Sequence, residues 1–169
     1  ERTTSALAIL AKAIEADRLV MRIADEKAQG LRFIAAVGMG VQEHPPEALR
    51  SYNVGISGTV YRTGEPLLVS DYSTNPIATP SVAALGMRSG AGAPIRVGGR
   101  TLGVITATSA REGHFTPGQM RLLTAIASGM GVFLENARLY QEASDEVEMS
   151  RQRLATTQEV ASSLAVEQD

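Results

Sequence analysis

The sequence predicts an α+β domain organised on a central antiparallel sheet, and three observations carry that expectation. Residues 88–109 read RSGAGAPIRV, then Gly98-Gly99, then RTLGVITATS. These are two apolar, β-branched runs joined by residues that accept the positive φ of a two-residue hairpin turn. In the second run Leu102, Val104, Thr106 and Thr108 fall on one face and Gly103, Ile105 and Ala107 on the other, with no charge on either. Such a strand must be covered on both sides, so the hairpin belongs in the middle of a sheet with layers above and below it. Third, apolar residues recur at helical spacing near both ends of the chain, giving core-facing helices.

In chain order, residues 5–14 place Leu7, Ile9, Leu10, Ala13 and Ile14 at helical spacing, a short amphipathic helix. RLVMRI at 18–23 alternates as a strand, residues 24–27 turn the chain, and LRFIAAV at 31–37 returns. Gly38 and Gly40 have the outline of a dinucleotide fingerprint. The third glycine is missing, however, and His44-Pro45-Pro46 stand where a helix must open, so a loop is the better account. Residues 53–64 open on glycines and continue as a short helix carrying Val60. Gly55-Ile56-Ser57-Gly58-Thr59 lacks the glycine that a hydrolase nucleophile elbow needs two residues after the serine, which leaves Ser57 as a cap or turn residue. Leu67-Leu68-Val69 form a further strand. Residues 72–86, uncharged and punctuated by proline, pack as an irregular lid.

After the hairpin, Thr116-Pro117-Gly118-Gln119 announces a helix in which threonine caps, proline suits the first turn and glutamine closes a capping box. Leu122, Leu123, Ile126, Ala127, Met130, Phe133, Leu134 and Ala137 follow as a core-facing stripe. Gly129 and Gly131 each cost this helix about 1 kcal/mol relative to alanine, which makes sense where another element approaches closely. Beyond Tyr140 the helix turns polar. Ala143, Val147, Ser150, Leu154, Thr157, Ala161 and Leu164 keep heptad spacing there, a thin seam that calls for a second copy of the chain.

Composition excludes several classes of function. A net charge of −2 gives no electrostatic reason to expect nucleic acid or an anionic membrane as partner. The absence of cysteine removes disulfides, thiolate metal sites, cysteine nucleophiles and thioether-linked cofactors. The apolar run 122–134 is too short to span a bilayer, and no secretory signal opens the sequence, so a cytoplasmic piece of a longer protein is expected. No nucleophile with a base, metal cluster or phosphate loop stands out.

A joint pattern across residues 5–140 resembles the GAF domain, a small-molecule sensor module of bacterial signalling proteins. It is carried by Gly55-Ile56-Ser57-Gly58 with Val60, Thr63-Gly64-Glu65-Pro66, Val69 with Asp71, and Gly86-Met87-Arg88-Ser89. Ala93-Pro94-Ile95, Leu102-Gly103-Val104-Ile105, Phe115-Thr116, Leu122-Leu123, Ala127 and the run Glu135-Asn136-Ala137-Arg138-Leu139-Tyr140 complete it. The resemblance implies a PAS-related antiparallel sheet with the N- and C-terminal helices on one face and a ligand pocket under the lid on the other. Residues 1–140 would be the sensor domain and 141–169 a helical coiled-coil linker to a downstream effector, as in a sensor histidine kinase or a tandem-GAF protein. Members that bind cyclic nucleotides carry Asn-Lys and, far on, Phe followed by Asp-Glu; here Asn75 precedes Pro76 and Phe115 precedes Thr116-Pro117. Bilin-bearing members and the methionine sulfoxide reductases of the family use cysteine, which this chain lacks. A haem-binding member needs an axial histidine, and His44 and His114 are the candidates, each without supporting residues around it.

The implied pocket residues are Asp71, Tyr72 and Asn75 at the mouth of the lid, Met87, Arg88 and Ser89 before and at the start of the hairpin, and Thr106 and Thr108 on its second strand. Arg88 could pair with an anionic ligand group or simply with Asp71. Gly90 and Gly92 leave either a roomier site or closer packing. The expected assembly is a parallel homodimer through Val147, Leu154, Ala161 and Leu164, with an unidentified small molecule as ligand. The alternative is a ligand-free module that serves as a dimerising spacer.

Overall fold

A computed structural model describes residues 2–42 and 45–166, with side chains over 3–42 and 45–158. The described elements run α1 (Arg2–Ala13), β1 (Arg18–Asp25), β2 (Gly30–Gly38), β3 (Leu49–Ser51) and α2 (Gly55–Thr63). They continue as β4 (Leu67–Val69), α3 (Pro80–Ala83), β5 (Ser89–Val97), β6 (Arg100–Ser109) and α4 (Pro117–Val166). The strands form one antiparallel sheet in the order β3-β2-β1-β6-β5-β4. Gly98 and Gly99 turn β5 into β6 with φ of 52° and 82°, the pair of positive angles that a type I′ turn requires. Three-residue β3, too short to carry a period, is the strand that sequence patterning misses.

Register assigns the two faces. Leu19, Met21, Ala91, Ala93, Ile105 and Ala107 lie on one, buried beneath Leu7, Leu10 and Ile14 of the N-terminal segment and Leu123 and Ala127 of α4. Each large aliphatic side chain so buried contributes on the order of 2 kcal/mol. The stripes are narrower than periodicity suggests. Ile9 is 73% exposed and Ala13 is exposed on α1, while Leu122, Phe133 and Ala137 are exposed on α4, because the sheet covers only one line of each helix. Thr116 and Gln119 do form the expected capping box: the Gln119 amide donates to Thr116 Oγ1 at 3.3 Å and the Thr116 amide to Gln119 Oε1 at 2.8 Å. Of the two helix glycines only Gly131 is crowded. A Cβ there would stand 2.1 Å from the Arg96 carbonyl oxygen, whereas one on Gly129 meets nothing within 4 Å.

On the opposite face α2 lies against β5 and β6. A Cβ on Gly90 would stand 2.4 Å from Ile56 Cδ1, and one on Gly92 2.6 Å from Ile56 Cγ2. These two glycines therefore serve close packing rather than a roomier site. Leu31, Ile56, Val60, Val69, Tyr72 and Val104 form a small second core there. Ser57 is buried in the first turn of α2, whose N-cap is Val54, so it is not the cap. Within the lid, residues 80–83 close into the single helical turn of α3.

The chain divides into two compact units, Glu1–Val132 and Phe133–Asp169. The second is the continuation of α4, on which Phe133, Leu139, Tyr140, Val147, Met149 and Leu154 are exposed. The side chains of Ala161 and Leu164 lie outside the described residues, as does His44. No helix among the described residues is long and apolar enough to cross a membrane.

Candidate functional site

Where α2 stops covering the sheet, a cavity of about 100 Å³ remains over β1 and β6. Its floor is Arg18, Val20 and Arg22 of β1 with Thr106 and Thr108 of β6; the register sets Arg18 opposite Thr108 and Val20 opposite Thr106. Ser81, Val82 and Leu85 of the lid form its roof, and Pro45, Pro46, Glu47 and Arg50 close its side. Glu47 and Ser81 also border an open groove of about 700 Å³ between α2 and residues 76–81.

The wall is rich in cations. Arg22 is 1% exposed, and its Nη1 donates to the carbonyls of Glu47 at 2.8 Å and Leu31 at 3.2 Å. Burial, reinforced by the nearby Arg50 and Arg18 charges and only partly countered by Glu47, brings its pKa down to about 10. Arg18 is 5% exposed and donates to the Met39 carbonyl at 2.9 Å; burial and then Arg50 lower its pKa as well. Arg50 Nε donates to Glu47 at 3.1 Å. Thr108 Oγ1 is buried with no hydrogen-bond partner, the one such side-chain atom among the described residues. They hold no cluster of metal-ligating side chains either.

A GAF-domain family model matches residues 3–135. The chain belongs to the GAF family. No curated protein matches it in sequence. Among solved structures it is similar to the GAF domain of a phosphoenolpyruvate-protein phosphotransferase from Coxiella burnetii, with TM-score 0.72, 20% identity, and coverage of 82% of this chain and 83% of that one. A domain of a putative two-component sensor histidine kinase from Sinorhizobium meliloti 1021 gives TM-score 0.65 at 20% identity, covering 82% and 92%. The free methionine-R-sulfoxide reductase from Neisseria meningitidis, solved with its substrate, gives 0.70 at 19%, covering 81% and 78%. At these identities the likeness establishes the fold alone.

Within this GAF fold, the eight residues expected at the pocket separate. Thr106 and Thr108 line the cavity. Tyr72 is buried in the second core, where its hydroxyl accepts from the Thr79 amide at 3.0 Å and ties down the lid. Asn75 Oδ1 accepts from the Ile77 amide at 3.0 Å and turns the lid backbone. Asp71 is engaged locally: its carboxylate takes the Ser73 hydroxyl at 2.6 Å, the Ser73 amide at 3.0 Å and the Thr74 hydroxyl at 3.1 Å, which together hold its pKa down. Arg88 reaches Glu112 at 2.5 Å and Asp71 at 4.0 Å, so it ties surface loops together instead of facing the cavity. Ser89 shares the register of Ala91 and Ala93 on the helix-covered face, and its hydroxyl donates to the Arg111 carbonyl at 2.6 Å. Met87 is buried but does not line the cavity. His114 Nε2 sits 3.2 Å from the Ile14 carbonyl and its ring packs edge-on against Phe115, away from the cavity lining.

Arg18, Arg22 and Arg50 are the residues that sequence reasoning missed. The available signal was the face Arg18–Val20–Arg22 on a strand of alternating polarity whose apolar face is Leu19, Met21 and Ile23. In a sheet covered on both sides, that charged face is buried as well.

Proposed function

We propose that this GAF module is a regulatory sensor of a small molecule, bound in the cavity over β1 and β6 and read out through the start of α4. The family is generally one of signalling and ligand-sensing domains. The observation that carries the reading is the hydrogen-bond path from the cavity floor to the first turn of α4. Thr108 lines the cavity, and its carbonyl accepts from the Asp17 amide at 3.0 Å. The Asp17 carboxylate in turn accepts from the Ser109 hydroxyl and the Ala110 amide, both at 2.8 Å. Three residues back along the chain from Asp17, the Ile14 carbonyl receives the Gln119 side-chain amide at 2.9 Å, and Gln119 belongs to the capping box that starts α4. A ligand that prefers one position of β1 relative to β6 therefore biases how α4 begins. It can act only through its differential affinity for two such arrangements.

We further propose that the module works as a parallel homodimer through the exposed seam that includes Val147 and Leu154, and that the helix passes the signal to an effector domain. A catalytic role has less behind it: the chain has no cysteine, and the carboxylate among the described lining residues, Glu47, is paired with Arg50. The test is a thermal-shift screen of the protein against metabolites, followed by hydrogen exchange on each hit. The expected result is a saturable rise in Tm with at least one compound, accompanied by altered exchange over residues 109–124. Binding that leaves those residues unchanged would refute transmission through α4.

A further inference from the structure

We propose that the segment joining β6 to α4, residues 110–116, is strapped to the neck of the lid, so that the position of the lid over the cavity is read at the start of α4. This rests on the sensing reading and adds a second input to it, from the roof of the cavity where the Thr108–Asp17 path starts from the floor. The lid is a loop whose two ends meet, because the Tyr72 amide donates to the Arg88 carbonyl at 2.6 Å. Ser81, Val82 and Leu85, between those ends, roof the cavity. Roof and neck are bonded to each other. The Tyr72 ring is buried, and its hydroxyl accepts the amide of Thr79, the residue that precedes α3. The Thr79 carbonyl in turn accepts from the Val82 amide at 3.1 Å and the Ala83 amide at 3.0 Å. An unbroken line of hydrogen bonds thus runs from the roof through Tyr72 to Arg88.

Both ends of the lid are then fastened to the end of β6 and the segment that follows it. At one end the Gly113 amide donates to the Ser70 carbonyl at 2.8 Å. At the other the Arg88 amide donates to the Ser109 carbonyl at 2.7 Å, and the buried Ser89 hydroxyl to the Arg111 carbonyl at 2.6 Å. The Arg88–Glu112 ion pair joins the same two pieces, but its side chains are 46% and 58% exposed and it adds little. The strap therefore lies in the backbone bonds and in Ser89. Gly113 holds a φ of 60°, a left-handed conformation that a β-branched residue resists. An added Cβ there meets nothing within 4 Å, so a larger residue strains the backbone without a clash. The strapped segment ends at Thr116, the threonine of the capping box that starts α4. A ligand that favours one lid position over another moves Ser70 and Arg88, and the start of α4 with them.

The experiment is hydrogen exchange on the whole chain without ligand, with Tyr72→Phe loosening the lid from within. Loss of the hydroxyl that holds Thr79 should speed exchange of the lid amides 77–85 roughly fivefold, the weight of one hydrogen bond. Amides 113–120 should speed up with them, while 31–37 in β2 stay unchanged. In a Gly113→Val, Ser89→Ala background the same substitution should still loosen the lid but leave 113–120 as they are in that background. A loosened lid with 113–120 unaffected, an equal response there with the strap broken, or a change that spreads to 31–37 would overturn the proposal. The reverse perturbation decides the matter where Tyr72→Phe does not fold or leaves the lid unchanged. Gly113→Val alone should raise exchange at 77–85, and unaltered exchange there would overturn the strap. No ligand enters this test, so its failure leaves the sensing reading and the floor path intact, and a failed metabolite screen leaves the strap intact.

Discussion

Gly129 and Gly131 sit two residues apart on α4, and the structure assigns opposite outcomes to the same substitution. In an exposed helix position, glycine to alanine recovers about 1 kcal/mol of helix propensity. Gly129 is exposed and an added Cβ meets nothing within 4 Å, so Gly129→Ala should gain most of that amount. At Gly131 the added Cβ would lie 2.1 Å from the Arg96 carbonyl oxygen and 2.8 Å from the Arg96 carbonyl carbon. Ordinary contact begins at 3.4 Å, so α4 must withdraw from β5 by about 1.3 Å or bend. Backbone cannot rotate aside as a side-chain tip can, and overpacking of this kind costs about 1–3 kcal/mol. Set against the propensity gain, Gly131→Ala should destabilise by up to about 2 kcal/mol. The pair would then differ by roughly 1–3 kcal/mol, measured as urea midpoints at constant m. Equal stability of the two variants would refute the close docking of α4 against Arg96.

Three further outcomes follow from the same geometry. Gly92→Val should destabilise by about 1–3 kcal/mol by forcing Ile56 and Val60 of α2 off the sheet, read by thermal melts; a neutral result would mean that α2 is not seated as described. The Asp17 carboxyl is pushed up by burial, but the Ala110 amide, the Ser109 hydroxyl and the Arg111 and His114 charges outweigh this and leave its pKa below the ordinary 3.8. Its stabilisation is therefore complete above the unfolded-state pKa and lost as pH falls through the lower folded value. Asp17→Asn should cost about 1–2 kcal/mol at pH 7 and flatten stability against pH below about 4; an unchanged acid profile would count against this network. Leu154, 63% exposed, should be covered in a dimer. Leu154→Glu should weaken self-association roughly tenfold, and a chain cut after Glu142 should scatter light as a monomer where the uncut chain scatters as a dimer; monomers in both cases would sink the seam.

Much of this fold is written locally in the chain. The β5–β6 hairpin was legible because Gly98-Gly99 specify a turn and the flanking runs lack charge on either face, two signals that need no distant information. The Thr116–Gln119 box was legible for the same reason. Phe133 was misplaced because helical periodicity continues into exposed positions, and periodicity alone does not tell which turns are covered. Ser89 illustrates a different limit. Its parity with Ala91 and Ala93 was available from the hairpin register, but proximity in sequence to Arg88 suggested a shared site that the register divides.

The location of the cavity explains why its chemistry was hardest to see. Gly90 and Gly92 let α2 descend onto β5 and β6, and that half of the face fills with Ile56, Val60 and Val104. Among the described residues the β1 half is roofed by a lid with one helical turn and flanked by residues 45–47, elements too irregular to pack densely. An apolar floor there would draw the lid down and close the space, whereas Arg18 and Arg22 hold it open and oppose a dry collapse. The cavity is thus a product of two absences of Cβ on β5 and two charges on β1, contributed by strands whose nearest ends, Asp25 and Ser89, are 64 positions apart. Neither run is unusual alone, and only the pairing of β6 between them places both on one face.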